Sequence, residues 1–342
     1  MKRYLLVTLA LVCALTLTNS STAAELGSGK TYSVTEIEFE GPHQSPKDAP
    51  ARDITLCSKF QHESGHPVIT IYGFWDGDGN GGSKGSIFKV RFCPTKPGRW
   101  TIVETYSNSE KLNLQHEGDS IWVENSDHPG FWIPDPNSPG RRWYMRSDGS
   151  HPYIYGNTHY SFLSRYERGD RPSGNDIAED IRGNAEYFKK LRFSFHGDRY
   201  PHPKEKPFFD DEGKPTDWGD YAHRPNPKWF HERGDLAVQT AWECDLIADL
   251  ILAGPDTKQS RSTLRASHND GDPTPYLKYI AARYGSYPNV WICLCNEFEI
   301  RKPKYTTKEI ARFGRIIRRF LPYQTPVSVH STPRTLWSSD FD

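Results

Sequence analysis

The segment from Tyr287 to Cys295 is an apolar run that ends in the polar pair Asn296–Glu297. It follows a stretch of helical pattern that begins at Thr274, and a short apolar run after a helix is typical of a buried parallel strand. Folds built from such strands keep their chemistry at the strands' carboxyl ends. Glu297 is therefore the leading candidate for a catalytic carboxylate. An acidic residue in this place can also cap a helix or pair with an arginine, so spacing alone leaves both roles open.

Strand-like and helix-like segments alternate from Trp143 onward. The predicted strands are Pro152–His159, Leu191–His196, Leu246–Leu252, Val290–Cys295 and Val327–His330. The predicted helices between them are Asp176–Lys190, a segment around Trp229–Cys244, Thr274–Tyr287 and Thr307–Phe320. Strands separated by helices at this spacing form parallel βαβ units. The pattern predicts an α/β domain over residues 142–342.

The preceding region has a different pattern, with short apolar or alternating runs broken by Gly, Pro, Asn and Asp. These runs are Tyr32–Phe39, Ile54–Phe60, Val68–Trp75, Ile87–Phe92, Gly98–Tyr106 and Ser120–Val123. Such spacing predicts an antiparallel β-sandwich over residues 30–125. Residues 126–141 contain four prolines and are predicted to form a linker or strap between the two domains.

The chain starts with two basic residues, an apolar run and a stretch of small residues. This pattern predicts a secretory signal peptide over residues 1–24, cleaved after Ala24, and therefore a secreted or periplasmic protein. The apolar run is shorter than the ~20 residues that span a bilayer, which argues against a membrane anchor. No membrane partner is expected.

Charge and aromatic content indicate the kind of partner. The chain carries 43 basic and 43 acidic residues, so neither a nucleic acid nor an anionic membrane is expected as its main partner. Aromatic residues make up 13% of the chain. Their rings stack on the C–H faces of sugars, although they also fill the cores of sandwiches and barrels. The oligomeric state is left open.

The cysteines and acidic residues predict no metal or other cofactor. Cys57 and Cys93 lie in strand-like runs and could pair in an oxidising compartment. Cys293 and Cys295 have no matching Cys or His pair, which favours small core residues over a metal site. The loop that starts at Asp76 resembles a calcium loop, but its twelfth position is Ile87 instead of a bidentate Glu. It is predicted to be a glycine-rich turn.

Two regions of the chain resemble known families. The first is similar to the immunoglobulin-like domain that precedes many bacterial glycosidase barrels, through Gly73-Phe74-Trp75-Asp76-Gly77 and Lys89-Val90-Arg91-Phe92-x-Pro94-x-x-x-Gly98-x-Trp100. The second resembles apiosidase-like (β/α)8 barrels of the retaining glycoside hydrolase clan, through Arg142-x-x-x-x-x-Asp148-Gly149, Asn289-Val290-Trp291-x-x-x-x-Asn296-Glu297 and Pro326-x-Ser328-x-His330. This resemblance covers Arg141 to the end and implies a TIM barrel that binds a carbohydrate.

The resemblance also implies roles for two residues. Glu297 would be the general acid/base, and Asn296 would hold the sugar 2-hydroxyl. A TIM barrel usually needs ~250 residues, whereas about 200 follow Arg141. Five strands are predicted, and the family's nucleophile, a Glu at the end of strand seven, would lie beyond Asp342.

Three interpretations follow from that count. The favoured one is a truncated glycosidase that lacks its nucleophile. In the second, Asp198 or Asp249 would act with Glu297 in inverting hydrolysis. The third is a non-catalytic, secreted carbohydrate-binding or interaction protein.

Four further residues fall at or just past the ends of predicted strands, where barrels bind substrate. They are His159, His196, Asp198 and His330. Each of them could equally be a polar residue packed at a strand end. Asn157 and Tyr160 flank the first of them. His231, His268 and Asp270 are weaker candidates for the rim of the cleft.

Overall fold

The computed structural model describes residues 23–139, 143–160, 163, 173–195, 206–254, 257–265, 267–300 and 302–332. Its first part forms two sheets, with strand orders β1-β8-β7-β3-β4 and β2-β6-β5. The elements are β1 (Glu25–Lys30), β2 (Thr35–Gln44), α1 (Pro50–Asp53), β3 (Leu56–His62), β4 (Val68–Tyr72), β5 (Phe74–Trp75), β6 (Gly85–Phe92), β7 (Gly98–Ser107) and β8 (Ser120–Glu124).

The two sheets share one hydrophobic core. Burial alternates along β3, where every second residue from Leu56 to His62 is buried, because successive side chains of a strand point to opposite faces. Phe60 of one sheet stacks on Phe92 of the other, with ring centroids 4.2 Å apart. Trp100 packs against the edge of Phe92 in the same core. The alternating runs of the sequence therefore mark the strands that face this core.

The five cysteines in the described part of the chain are all free thiols. The disulfide considered for Cys57 and Cys93 is therefore not formed. Cys57 lies on β3 in the five-stranded sheet, whereas Cys93 follows β6 in the three-stranded sheet. The backbone N–H of Cys93 donates to the Tyr323 hydroxyl, which donates in turn to the Cys93 carbonyl. Burial raises the pKa of both thiols.

The second part of the chain is built on a parallel sheet of five strands, in the order β11-β12-β15-β16-β17. An antiparallel pair precedes it, and a short hairpin interrupts it. The strands are β9 (Trp132–Pro134), β10 (Tyr144–Arg146), β11 (Gly156–Thr158), β12 (Lys190–Ser194), β13 (Phe208–Phe209), β14 (Pro215–Thr216), β15 (Ile247–Ala253), β16 (Val290–Cys295) and β17 (Val327–Ser328). Each strand of the parallel sheet lies next to its predecessor in the chain, so the sheet is wound in one direction.

Helices connect the parallel strands. They are α2 (Ser173–Ala185), α3 (Pro227–Trp229), α4 (Leu236–Glu243), α5 (Lys258–Arg261), α6 (Thr274–Tyr284) and α7 (Thr307–Arg318). Short 3-10 turns cover Gly219–Tyr221, Ser262–Arg265 and Ser267–Asn269. No helix in the described ranges is long and apolar enough to cross a membrane.

The two faces of the parallel sheet differ in chemistry. Leu191 and Phe193 belong to the large core that the sheet forms with its helices. The alternate residue Lys190 turns to the other face and pairs with Asp249 of β15, with Nζ and Oδ2 2.7 Å apart. Trp132 of the proline-rich segment packs with Ile247 and Trp291. That segment therefore covers the beginning of the sheet's polar face.

The predicted elements match the observed ones best where the strand is buried. The prediction for β16 has the observed bounds, Val290–Cys295. The prediction for the first parallel strand was too long, because only Gly156–Thr158 pair with β12 and Tyr153 and Tyr155 are exposed. The helix after it ends at Ala185, five residues earlier than predicted, because Lys190 already belongs to β12.

The helix predicted around Trp229 contains a π-helical segment, Phe230–Asp235, between α3 and α4. Gly234 lies in this segment against Tyr284, and a Cβ at Gly234 would lie 2.4 Å from the Tyr284 hydroxyl oxygen. Asp235 is buried at the end of the segment. A π-helical segment inserts an extra residue into a helix and often marks a structurally constrained site. Here the segment places a carboxylate between the two parts of the chain.

A closed ring of six charged side chains joins the two parts. Three cations alternate with three carboxylates, and five of the six residues are at most 5% exposed. Its N–O distances are Glu36–Lys89 3.2 Å, Lys89–Asp76 3.1 Å, Asp76–Arg283 2.7 Å, Arg283–Asp235 2.6 Å, Asp235–Arg91 2.7 Å and Arg91–Glu36 2.8 Å. The loop that resembled a calcium site thus supplies Asp76 to this ring.

The ring compensates its own charges. Burial alone would raise the pKa of Asp235, but the guanidinium groups of Arg283 and Arg91 lower it well below its usual range. Both guanidinium groups also lie over the ring of Phe74, at 4.6 and 5.0 Å from its centroid. Removing one member would leave its buried partners with uncompensated charge.

Replacement of Arg283 by methionine tests this ring. We expect Arg283→Met to lower the free energy of unfolding by about 3–5 kcal/mol, because Asp235 and Asp76 would stay buried without their shared partner. Guanidinium denaturation followed by tryptophan fluorescence measures the change. The control is Lys59→Met, which removes an exposed pair with Glu104 and is expected to leave the midpoint unchanged. An unchanged midpoint in Arg283→Met would refute the stabilising role of the ring.

Candidate active site

The carboxyl end of β16 delivers Asn296 next to an arginine from β12. Asn296 is buried, and its Oδ1 accepts a hydrogen bond from Arg192 Nη2 at 2.8 Å. The same Nη2 lies 3.2 Å from Cys293 Sγ. Because the guanidinium group occupies Oδ1, the orientation of the amide is fixed. The Nδ2 group of Asn296 is then the part of the side chain that remains to donate to another molecule.

Glu297 is held through its backbone. Its φ angle is +44°, in the left-handed region that is uncommon for residues other than glycine. Arg261, which is fully buried, donates to the carbonyl oxygens of Asn296 at 2.7 Å, Glu297 at 3.0 Å and Phe298 at 3.2 Å. The Glu297 side chain is half-buried and takes part in no hydrogen bond or ion pair with the residues that the structure describes. The carboxylate is therefore available to a ligand.

His330 lies on the neighbouring chain segment, beyond β17. Its N–H donates to the Cys295 carbonyl at 3.1 Å, and its own carbonyl accepts from Phe298 N–H at 3.4 Å. Partial burial of the ring and the positive charge of Arg192 lower the pKa of His330, whereas Glu297 and Glu299 act in the opposite direction. The backbone pairing with Cys295 and Phe298 puts His330 beside Glu297.

The other predicted site residues have different outcomes. The N–H of His159 donates to the Arg192 carbonyl at 2.9 Å, so His159 lies beside the end of β12. Asn157 instead donates to Asn184 of α2 at 2.8 Å and faces the helix layer. His196 and Asp198 lie outside the described residues. The structure thus brings together Asn296, Glu297 and His330, whereas His159 follows β11, which β12 and β15 separate from β16.

Asp249 is not suited to act as the second carboxylate of an inverting pair. It is 2% exposed and paired with Lys190. It lies opposite Trp291 in the register of β15 and β16. β16 continues from Trp291 to Cys295 before the turn that carries Glu297, which is about 13 Å of strand at ~3.3 Å per residue. An inverting pair lies ~6.5–9.5 Å apart, so the register does not favour the alternative that used Asp249.

Sequence reasoning missed the two arginines that hold this site. Arg192 lies between Leu191 and Phe193 in a strand whose neighbours are apolar, and a charge in such a place signals a polar inner face. Arg261 gives no comparable signal, because nothing in its local sequence relates it to carbonyl groups 35 residues away. No group of three or more His, Cys, Asp or Glu side chains in the described part of the chain could hold a metal ion.

Comparison with known proteins shows what the sequence and the fold are similar to. Residues 28–107 match a family described as a domain of unknown function, DUF5060. A candidate glycoside hydrolase from Bacteroides vulgatus ATCC 8482 superimposes with a TM-score of 0.72 and 22% identity, covering 92% of this chain and 58% of that one. The chain thus spans 58% of the length of that protein. At this identity the match shows that the two folds are similar.

A glycoside hydrolase of family 5 from the same bacterium also matches, with a TM-score of 0.42 and 12% identity over 60% of this chain and 40% of that one. No curated protein matches the sequence.

A titration tests whether His330 and Glu297 share one cleft. We expect Glu297→Gln to lower the pKa of His330, because it removes a negative charge that favours the imidazolium form. Arg192→Met should raise the same pKa, because it removes a positive charge. The ring resonances followed by NMR against pH, and assigned with His330→Gln, report both changes. Glu243→Gln, at the end of α4, is the control, and an unchanged His330 pKa in both site variants would contradict the arrangement.

Proposed function

We propose that this protein belongs to the O-glycosyl hydrolases, with Glu297 as general acid/base. The observation that carries the proposal is the half-buried carboxylate of Glu297 at the carboxyl end of a parallel strand, which has no hydrogen-bond or ion-pair partner among the described residues. The similarity of the fold to a candidate glycoside hydrolase supports the reaction class. In this proposal the first two sheets are a β-sandwich, and the parallel sheet is part of a (β/α)8 barrel. The substrate is a polysaccharide or oligosaccharide.

The proposed chemistry assigns a task to each residue of the site. Glu297 donates a proton to the glycosidic oxygen as the bond to the sugar breaks, and water supplies the hydroxyl group that replaces the leaving group at the sugar carbon. Asn296 donates from Nδ2 to the sugar 2-hydroxyl, a contact that strengthens as positive charge develops on the sugar ring. His330 and His159 hydrogen-bond to sugar hydroxyls at the rim. Arg192 and Arg261 touch no substrate and position Asn296 and the Glu297 backbone.

Leaving groups of different acidity test the role of Glu297. In Glu297→Gln we expect kcat/KM for 4-nitrophenyl glycosides to fall by about 10²–10⁴, the usual contribution of a positioned acid. The loss should be much smaller with 2,4-dinitrophenyl glycosides, because that leaving group departs without a proton. A panel of both glycosides with common sugars measures the effect.

Glu243→Gln is the matched control for this assay, because it makes the same chemical change away from the carboxyl ends of the strands. Its activity should equal that of the unchanged protein. Equal losses with both leaving groups in Glu297→Gln, or no loss with either, would contradict a role as general acid.

The proposal includes export of the protein with cleavage after Ala24. It is supported by the start of β1 at Glu25, directly after the proposed cleavage site. N-terminal sequencing of the exported protein should begin at Glu25, and Leu11→Arg, which breaks the apolar run of the signal, should abolish export. An exported chain that still begins at Met1 would contradict the assignment.

A further inference from the structure

A row of aromatic rings lies on the loops that follow β12 and β15. Trp218 precedes the 3-10 turn Gly219–Tyr221, and His268 belongs to the turn Ser267–Asn269. Both loops leave the carboxyl ends of parallel strands, and such loops gather at one edge of the sheet. The row is therefore on the same edge as Asn296 and Glu297.

The rings lie around one short turn. Trp218 has an extended backbone and directly precedes the 3-10 turn, and Tyr221 ends that turn. The N–H of Tyr221 donates to the Trp218 carbonyl at 3.1 Å, which closes this turn. The ring of Tyr221 stacks on that of His268, with centroids 4.2 Å apart and an angle of 19°. Trp218 is 40% exposed, although Asp217 and Gly219 on either side of it are buried.

The row is anchored to the structure that holds the candidate acid. A Cβ at Gly219 would lie 2.4 Å from the backbone nitrogen of Thr263, so glycine is required for this close approach. The hydroxyl of Thr263 donates to the Leu252 carbonyl of β15 at 3.2 Å. Two residues before Thr263, Arg261 binds the carbonyl oxygens of residues 296–298. The ring surface and Glu297 are thus connected through one short, buried segment.

Charged groups border the rings on one side. Asp211 accepts hydrogen bonds from Arg224 Nη1 at 2.5 Å and from the Tyr221 hydroxyl at 3.4 Å. Its Oδ2 also lies 3.7 Å from His268 Nδ1. A pyranose ring presents C–H groups on its faces and hydroxyl groups around its edge. Flat aromatic faces beside a carboxylate and a guanidinium group are complementary to both.

We propose that Trp218, Tyr221 and His268 form a sugar-binding platform that holds one pyranose unit of the substrate near the bond cleaved at Glu297. The assignment rests on the proposed function for the class of ligand. It adds a subsite that recognises sugar units beyond the one at the cleavage point. Trp218 is a substrate-binding residue in this proposal and takes no part in proton transfer.

Binding to hexasaccharides tests the platform without hydrolysis. The Glu297→Gln variant is the parent protein for this test. Calorimetric titrations of cellohexaose, xylohexaose and mannohexaose into this parent give its dissociation constants. Adding Trp218→Ala should weaken binding of the preferred sugar by about tenfold or more, which corresponds to ~1.4 kcal/mol. The Trp218→Phe variant should lose less affinity, because phenylalanine keeps an aromatic face. Trp122→Ala is the matched control, because Trp122 is 45% exposed on β8, away from the strand ends.

Two results would overturn the platform. One is equal affinity in the parent and in the Trp218→Ala variant, and the other is no binding of any hexasaccharide by the parent. Failure of the proposed function is seen separately, because the aryl glycoside assay with Glu297→Gln does not depend on the platform. If Trp218→Ala weakens hexasaccharide binding but the aryl glycoside assay shows no general acid at Glu297, the platform is supported and the proposed hydrolase function is refuted.

Discussion

The charged ring between the two parts of the chain is the interaction on which the other features depend. Arg91 comes from a strand of the first part, whereas Asp235 and Arg283 come from helices of the second. Each ion is costly to remove from water, so the arrangement is favourable only when every charge has its partner. The ring therefore stabilises one relative position of the two parts.

The partners of the described carboxylates indicate which carboxylate can interact with a ligand. Asp249 is neutralised by Lys190, and Glu309 binds Arg265 and caps α7. Glu299, two residues after the candidate acid, accepts hydrogen bonds from Thr332 N–H and Oγ1. Among these described carboxylates, Glu297 differs because no cation or donor occupies it. A carboxylate that is half-buried and unpaired has its hydrogen-bonding capacity in reserve for a ligand.

The sequence predicted local structure well and long-range contacts poorly. The bounds of β16 follow from a fully buried apolar run between Asn289 and Asn296, where local pattern and tertiary burial agree. The bounds of β11 could not be predicted in this way. A three-residue strand that pairs with one neighbour has no hydrophobic pattern of its own. The bond between Arg91 and Asp235 joins residues 144 positions apart, and no local pattern encodes such a separation.

The left-handed backbone conformation of Glu297 limits which substitutions the site can tolerate. A left-handed conformation costs a non-glycine residue about 1–2 kcal/mol, and three hydrogen bonds from Arg261 offset that cost. Lysine at position 261 would keep the charge but not the planar fork that reaches three carbonyl groups at once. Because Arg261 lies in the same buried segment as Thr263, the loop that carries Trp218 and the turn that carries Glu297 share one support. The proposed sugar-binding platform and the proposed acid are thus positioned together.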